Sequence, residues 1–365
     1  MRASRYARKK QGNAKVIKRT FLIASAVIGV AIASGICTAA PSECKFIRIA
    51  EWPVRLEHNK LIVDGSINGR KIGIMLDTGA GQSLILRSAA IRLELTLRRA
   101  SRYRVFGLGG ETDVEVAHLD EFKIGQAAQK NWPVIVAGER DFGDDVALLL
   151  GDDFFHKVDV EFDLAAHAVR LYQPKDCDGV SLAYWSTNGA GQVEIEEVDG
   201  NHPHIVLTVQ INGQPLRALL DSGASTSTLA TSDAARLGVT PQTPGVVARG
   251  PSGGLGPKKF DSWIGPFESF TIGDETITNP QIRFADLWKD TTYTETGSRL
   301  QRQLGLRPML LGADFLLAHR VLIAHSQRRI YFTSGGSPMF QVSRPLETRN
   351  DPGQEVGTKP KTGEN

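Results

Sequence analysis

The sequence predicts a mainly β chain made of two homologous halves, each β-barrel-like with short helices. Three observations lead there. A stretch beginning at Ile67 returns 144 residues later, with twelve identities in 27 gapless positions up to Leu93, and such a repeat decides the architecture before any local reading. Short apolar runs, alternating or ending in Asn-Gly turns, mark strands in both copies. A late apolar-apolar-Gly motif, Leu149-Leu150-Gly151, recurs as Leu310-Leu311-Gly312, and Asp-Phe follows one position later in each copy.

In chain order, the first element is a targeting segment. Residues 1–19 carry eight basic side chains and no acid, and residues 20–40 carry no charge. A basic stretch, an apolar run and small residues at Thr38-Ala39-Ala40 form the layout of a signal peptide, with a cut expected after Ala39. The alternative is an uncleaved membrane anchor, because residues 20–40 are long enough to span a bilayer. Both readings put the rest of the chain outside the cytosol, in the periplasm or cell envelope. The net charge of +3 then becomes −5 over residues 41–365, which excludes a basic nucleic-acid-binding face in the body of the protein. Of three cysteines, Cys37 ends the targeting segment. Cys44 and Cys177 are left as an even pair in an oxidising compartment, where a disulfide is the expectation and two free thiols the alternative.

The 365 residues allow about two domains, and the repeat sets their bounds at 45–180 and 181–338, with a polar, disordered tail at 339–365. Asn68-Gly69 and Asn212-Gly213 are predicted hairpin turns. The apolar run ending at Leu76 leads into Asp77-Thr78-Gly79-Ala80, and the one ending at Leu220 leads into Asp221-Ser222-Gly223-Ala224. Helical stretches are predicted at 88–93 and 232–237. From the Asp to the late Gly the distance is 74 residues in the first copy and 91 in the second. The second copy therefore holds 17 extra residues, placed near Phe284–Gln303, a polar loop.

The repeated Asp-Thr/Ser-Gly element has a chemical use. A buried strand fixes the loop, Gly79 and Gly223 permit backbone conformations that a Cβ penalises, and the Thr78 and Ser222 hydroxyls can reach the partner loop. Two such loops set two carboxylates a few Å apart, where both cannot ionise easily and one proton is shared. One carboxyl group then takes a proton from a water while the other donates to a carbonyl oxygen. A lone Asp-Ser/Thr-Gly arises by chance in roughly one chain of this size in six; two copies with matched flanks do not.

On these residues the sequence resembles the retropepsin-like and pepsin-like aspartic peptidases, above all bacterial members with two retropepsin-type halves. The resemblance covers residues 60–335. It implies a bilobal acid-protease fold, and an aspartic endopeptidase acting on envelope or extracellular polypeptides. Asp77 and Asp221 would be the catalytic pair, with Thr78, Gly79, Ser222 and Gly223 supporting the loops. The late glycines would lie beside them. Val105–Gly110 and Gly250–Gly254 would be flap tips, with Gly109, Gly110, Gly253 and Gly254 near the substrate. The alternative is a catalytically silent peptide-binding or scaffold module of the same fold. Tandem copies favour a monomer whose lobes pair within one chain, over halves that pair with mates on a second chain. Ala80 and Ala224 stand where the pepsin branch commonly has a hydroxyl that can bond the carboxylate. Its lack predicts an optimum at roughly pH 4.5–6.5.

Other motifs carry less. Gly250-Pro251-Ser252-Gly253-Gly254 matches a nucleophile elbow literally, but Leu255-Gly256-Pro257 cannot open the helix that such an elbow needs. His202 and His204 complete no zinc pattern and are read as exposed loop residues; His319 and His325, in an apolar run, are read as structural. Asp153 and Asp314 are read as helix caps. Asp152 corresponds to Ala313 in the other copy, so the chemistry does not need it. No metal or cofactor is expected.

Overall fold

A computed structural model describes residues 43–100, 104–196, 204–288 and 308–340, with the backbone of 292–294 and 301–303. The targeting segment, residues 341–365 and residues 289–291 and 295–300 of the predicted insertion lie outside the described residues.

The first half is a six-stranded β-barrel, and the second repeats its strand order within a nine-stranded sheet. In the first, Lys60–Ile67 pairs with Arg70–Leu76 across the Asn68-Gly69 turn, where φ is +49° and +80°, the left-handed pair that a two-residue hairpin demands. Arg70–Leu76 then pairs in parallel with Val146–Leu150. Next come Leu84–Leu86, Ala127–Ala137 and Glu115–Ile124, and the last returns to Lys60–Ile67 to close the ring. The second half repeats this order with Val206–Ile211, Gln214–Leu220, Met309–Leu311, Thr228–Ala230, Gln281–Ala285 and Phe260–Pro266. Ser269–Ile272, which follows Phe260–Pro266 in the chain, pairs with Val206–Ile211. Both halves fill with aliphatic side chains that are fully buried, among them Leu61, Ile74, Leu207 and Ile282.

A third, six-stranded sheet joins the halves. Asp159–Asp163 of the first pairs with His319–Ala324 of the second, Phe162 opposite Val321. Glu161 is buried at this seam and its carboxylate is fully engaged. It accepts from Arg170 Nη1 at 2.9 Å in the first half and from Arg320 Nε at 2.8 Å in the second. The Tyr172 and Tyr184 hydroxyls donate to its other oxygen at 2.9 and 2.7 Å. Stripping the partners from such a buried charge costs about 3–5 kcal/mol, so the seam is a specified contact. At the edge of the same sheet Lys45 pairs with Lys175, and this brings the Cys44 and Cys177 sulfurs to bonding distance with the Cα atoms 4.4 Å apart.

Two expectations shift. The offset between halves is 144 at the Asp loops and 161 at Gly151 and Gly312. It is 148 where Asn68 and Asn212 bond the backbone of Glu121 and Ser269. Four of the extra residues therefore precede this point, in the flap-bearing region, and 13 follow it. Met339 and Phe340, assigned to the tail, are buried, with the Phe340 ring edge-on to Phe270 at 5.0 Å: two apolar side chains found core to fill. Among the described residues no helix is long and apolar enough to cross a membrane.

Candidate active site

Strand pairing aims the two Asp loops at one another. Leu76 and Leu220 end strands held in parallel against Leu150 and Leu311, and the Asp77 and Asp221 backbone N–H groups each donate to those partners' carbonyls at 2.9 Å. The chain leaves both strands at the same level and turns at once.

The hydroxyls that follow brace the loops crosswise. Thr78 Oγ1 donates to the Leu220 carbonyl at 2.8 Å and accepts the Ser222 N–H at 3.0 Å. Ser222 Oγ donates to the Leu76 carbonyl at 2.8 Å and accepts the Thr78 N–H at 3.0 Å. Both side chains are fully buried, so these four bonds have no water to replace them and their loss leaves unpaired groups.

Gly79 and Gly223 are required for a different reason from the one the sequence gives. Neither has a positive φ. A Cβ on Gly79 would instead overlap the Asp221 carboxyl group, and a Cβ on Gly223 would overlap that of Asp77. Each glycine is the space in which the other half's carboxylate lies. The late glycines do the same for the backbone. A Cβ at Gly151 would come 2.7 Å from the Ala80 carbonyl oxygen, and one at Gly312 2.8 Å from that of Ala224.

Asp77 and Asp221 are half-buried, and each carboxyl group lies against the loop glycine of the other half. Asp77 Oδ1 accepts the Ala80 N–H at 3.0 Å; Asp221 Oδ1 accepts those of Gly223 and Ala224 at 2.9 and 3.1 Å. Burial holds the Asp77 carboxyl well above the ordinary carboxylate range, and the charge of Asp221 pushes it further. Burial also raises Asp221, but the Ala224 and Gly223 N–H groups pull it back. Both carboxyl groups are raised, as two acids that must share one proton would be.

Asp153 and Asp314 are not helix caps. The short helices Asp152–Phe155 and Ala313–Ala318 start at Gly151 and Gly312 with no side-chain cap. Asp153 instead accepts from the N–H and Oγ of Ser83 at 2.8 and 2.7 Å, and Ser83 Oγ accepts the Gly151 N–H at 3.0 Å. Asp314, Ser227 and Gly312 repeat the pattern, with Oγ–Oδ1 at 2.6 Å. These relays clip each Asp loop to its late glycine. The signal was present in the sequence, since all of them recur in both copies, but side chains 70 and 87 positions apart cannot be paired without the fold.

Of the flap glycines, Gly109 and Gly110 have φ of +90° and +105° and sit at the tip of the hairpin Val105–Gly107/Gly110–Thr112. Gly253 and Gly254 lie in the loop between Val247–Ser252 and Phe260–Pro266. The second flap runs beyond them, to Lys258. Ser252 is on that strand pair, accepting from Arg283 Nη2 at 2.7 Å, and is no elbow nucleophile. His204, read as exposed, is half-buried, 3.5 Å from where a Cβ on Gly81 would stand. His202 lies outside the described residues. His319 is buried, bonded to the Phe315 carbonyl and to Glu275 at 2.8 and 3.0 Å, and burial takes His325 down to about 4.

Comparison with known families gives a match in each half. A model of gag-polyprotein aspartyl proteases matches residues 63–157, and a model of aspartyl proteases matches residues 207–315. No curated protein matches the chain.

Proposed function

Since the chain belongs to the retropepsin-like aspartic peptidases, its two halves in tandem, we propose that Asp77 and Asp221 form one catalytic site that cleaves internal peptide bonds of envelope or extracellular proteins. Aspartyl-protease activity on polypeptides follows from the two matched halves. The finer reading rests chiefly on one observation: two carboxyl groups, each lying in the space left by the other half's loop glycine, between loops that are braced crosswise.

In this mechanism one carboxyl group of the pair, protonated, donates to the oxygen of the scissile carbonyl. The other, ionised, takes a proton from a water, whose oxygen bonds to the carbonyl carbon. The product of attack is a tetrahedral diol. The carboxyl group that took the water's proton gives it to the leaving nitrogen while the other takes a proton from a diol hydroxyl, so the C–N bond breaks to an acid and an amine and the pair again holds one proton. No covalent enzyme intermediate forms. The braces and the late glycines keep the carboxyl groups at fixed separation, so little reorganisation accompanies the proton transfers.

The test is a digest of an unfolded protein by residues 41–365, with and without a statin-type inhibitor. Cleavage that the inhibitor blocks supports the reading. Binding of the unfolded chain with no cleavage would mark a peptide-binding module instead. Export is part of the proposal, supported by the basic and apolar pattern of residues 1–40 and by the Cys44 and Cys177 sulfurs at bonding distance, which suits a disulfide. A fusion of residues 1–45 to a reporter active only outside the cytosol should give signal; a silent fusion overturns it.

A further inference from the structure

The two flaps touch, and each sends one leucine into the other half. The Leu108 carbonyl accepts the Gly256 N–H at 3.0 Å, and the Gly109 carbonyl accepts the Lys258 N–H at 3.0 Å. Arg140 Nη1 donates to the Gly253 carbonyl at 2.5 Å. Glycine makes this approach feasible: a Cβ on Gly254 would stand 2.6 Å from Leu108 Cβ, and one on Gly107 2.9 Å from Leu255 Cβ.

Leu108, from the first half, packs against an apolar wall of the second that includes Leu219, Ala230, Ala285 and Leu310, with Ala224 and Trp288 at its edge. Leu219 stands two residues before Asp221, and Ala224 closes the Asp221 loop. Leu255, from the second half, lies over Gly107 and Gly138 of the first, with Leu86 beside it. Leu86 is the counterpart of Ala230 at the offset of 144, and Gly138 follows Ala137, the counterpart of Ala285 at 148. The exchange is therefore reciprocal, and each wall includes the strand that pairs with the one leading to its half's late glycine. Both leucines are half-buried, as side chains that leave as well as enter must be.

We propose that Leu108 and Leu255 are exchanged plugs: in the free protein each fills the apolar wall beside the other half's aspartate, and a substrate enters by displacing them with apolar side chains of its own. The interlocked flaps keep the binding-competent state a minor one, which lowers apparent affinity by its population. An apolar peptide replaces the lost contacts and a polar one does not, so the plugs also select. What they exclude rests on the peptidase reading; where they sit does not.

Two measurements on residues 41–365 and on a Leu108→Ala/Leu255→Ala variant decide it. Hydrogen exchange at the Gly256 and Lys258 amides should be slow in the parent and roughly ten-fold faster in the variant, the weight of one leucine released from an apolar wall. The Thr78 and Ser222 amides should be unchanged, which controls for folding. Association of a statin-type peptide with apolar side chains should be roughly ten-fold faster in the variant. Rapid exchange at Gly256 and Lys258 in the parent overturns the proposal, and so does association that is unchanged or slower in the variant. If neither protein binds the peptide, the peptidase reading fails, and the exchange result alone decides whether the plugs exist.

Discussion

The Asp77 loop and the Asp221 loop are braced alike, yet the residue after the late glycine is Asp152 in one half and Ala313 in the other. The braces, the serine–aspartate relays and the space-making glycines occur in both halves. Asp152 is fully buried, and neither of its carboxyl oxygens has a hydrogen-bond partner among the described residues. Burial, then the charge of Asp153, raises its carboxyl to about 7. Whatever the shared site needs is duplicated; what stands on one side alone has no part in holding the carboxyl pair. The pair itself is alike in geometry, and burial raises both of its carboxyl groups.

The largest expected effect tests the space-making role. Gly79→Ala or Gly223→Ala pushes a methyl group into the opposite carboxyl, and each should lower kcat/KM by at least about a hundred-fold, as misplacement of reacting groups by about an ångström does. The two losses should be of similar size. A near-normal rate for either would break the symmetry.

Next come the braces. Thr78→Ala and Ser222→Ala each leave one buried carbonyl and one buried N–H unpaired, at about 1–3 kcal/mol apiece. Denaturant unfolding should register a loss of roughly 2–6 kcal/mol for each variant, while Thr78→Ser should lose far less. A loss confined to one of the two alanine variants would mean that the halves are not braced equally.

The shared proton is read in the pH–rate profile of kcat/KM. The proposed mechanism needs one carboxyl group ionised and the other protonated, so the window lies between the two ionisations of the pair. Burial raises both, and the maximum should fall at roughly pH 4.5–6.5. A maximum below about pH 3 would show that burial and the alanines Ala80 and Ala224 do not set the ionisation.

The smallest effect sharpens the comparison. Asp152 holds its proton more tightly folded than unfolded, so its burial carries no charge penalty below about pH 4; the penalty grows as pH rises and is complete above about 7. Asp152→Ala, the second half's solution, should raise stability by on the order of a few kcal/mol at pH 8. At pH 4 it should change it by about 1 kcal/mol or less. Equal effects at both pH values would show that the buried carboxyl is not the cause.

Much of this was legible in the sequence. The repeat, the Asn-Gly turns and the strands that end at the aspartates come from local pattern, and local pattern decides them. Gly79 and Gly223 were found, but for the wrong cause, because what crowds them is 144 positions away. Asp153 and Asp314 invite a local reading as helix caps, whereas their partners Ser83 and Ser227 are 70 and 87 positions away, at the entry to the neighbouring strand. Leu108 and Leu255 carry no signal at all: an apolar residue in a glycine-rich loop acquires its role only when the opposite half supplies the wall. Burial of Met339 and Phe340 depended likewise on a pocket built by distant strands.

The central claim is that one site is made by both halves, and substitution of each aspartate tests it most directly. Asp77→Asn and Asp221→Asn keep the shape of the side chain, and each should abolish cleavage of an unfolded protein while circular dichroism and unfolding midpoint stay close to those of the parent. If either single variant cleaved at a near-normal rate, one carboxyl would suffice and the shared site would be wrong.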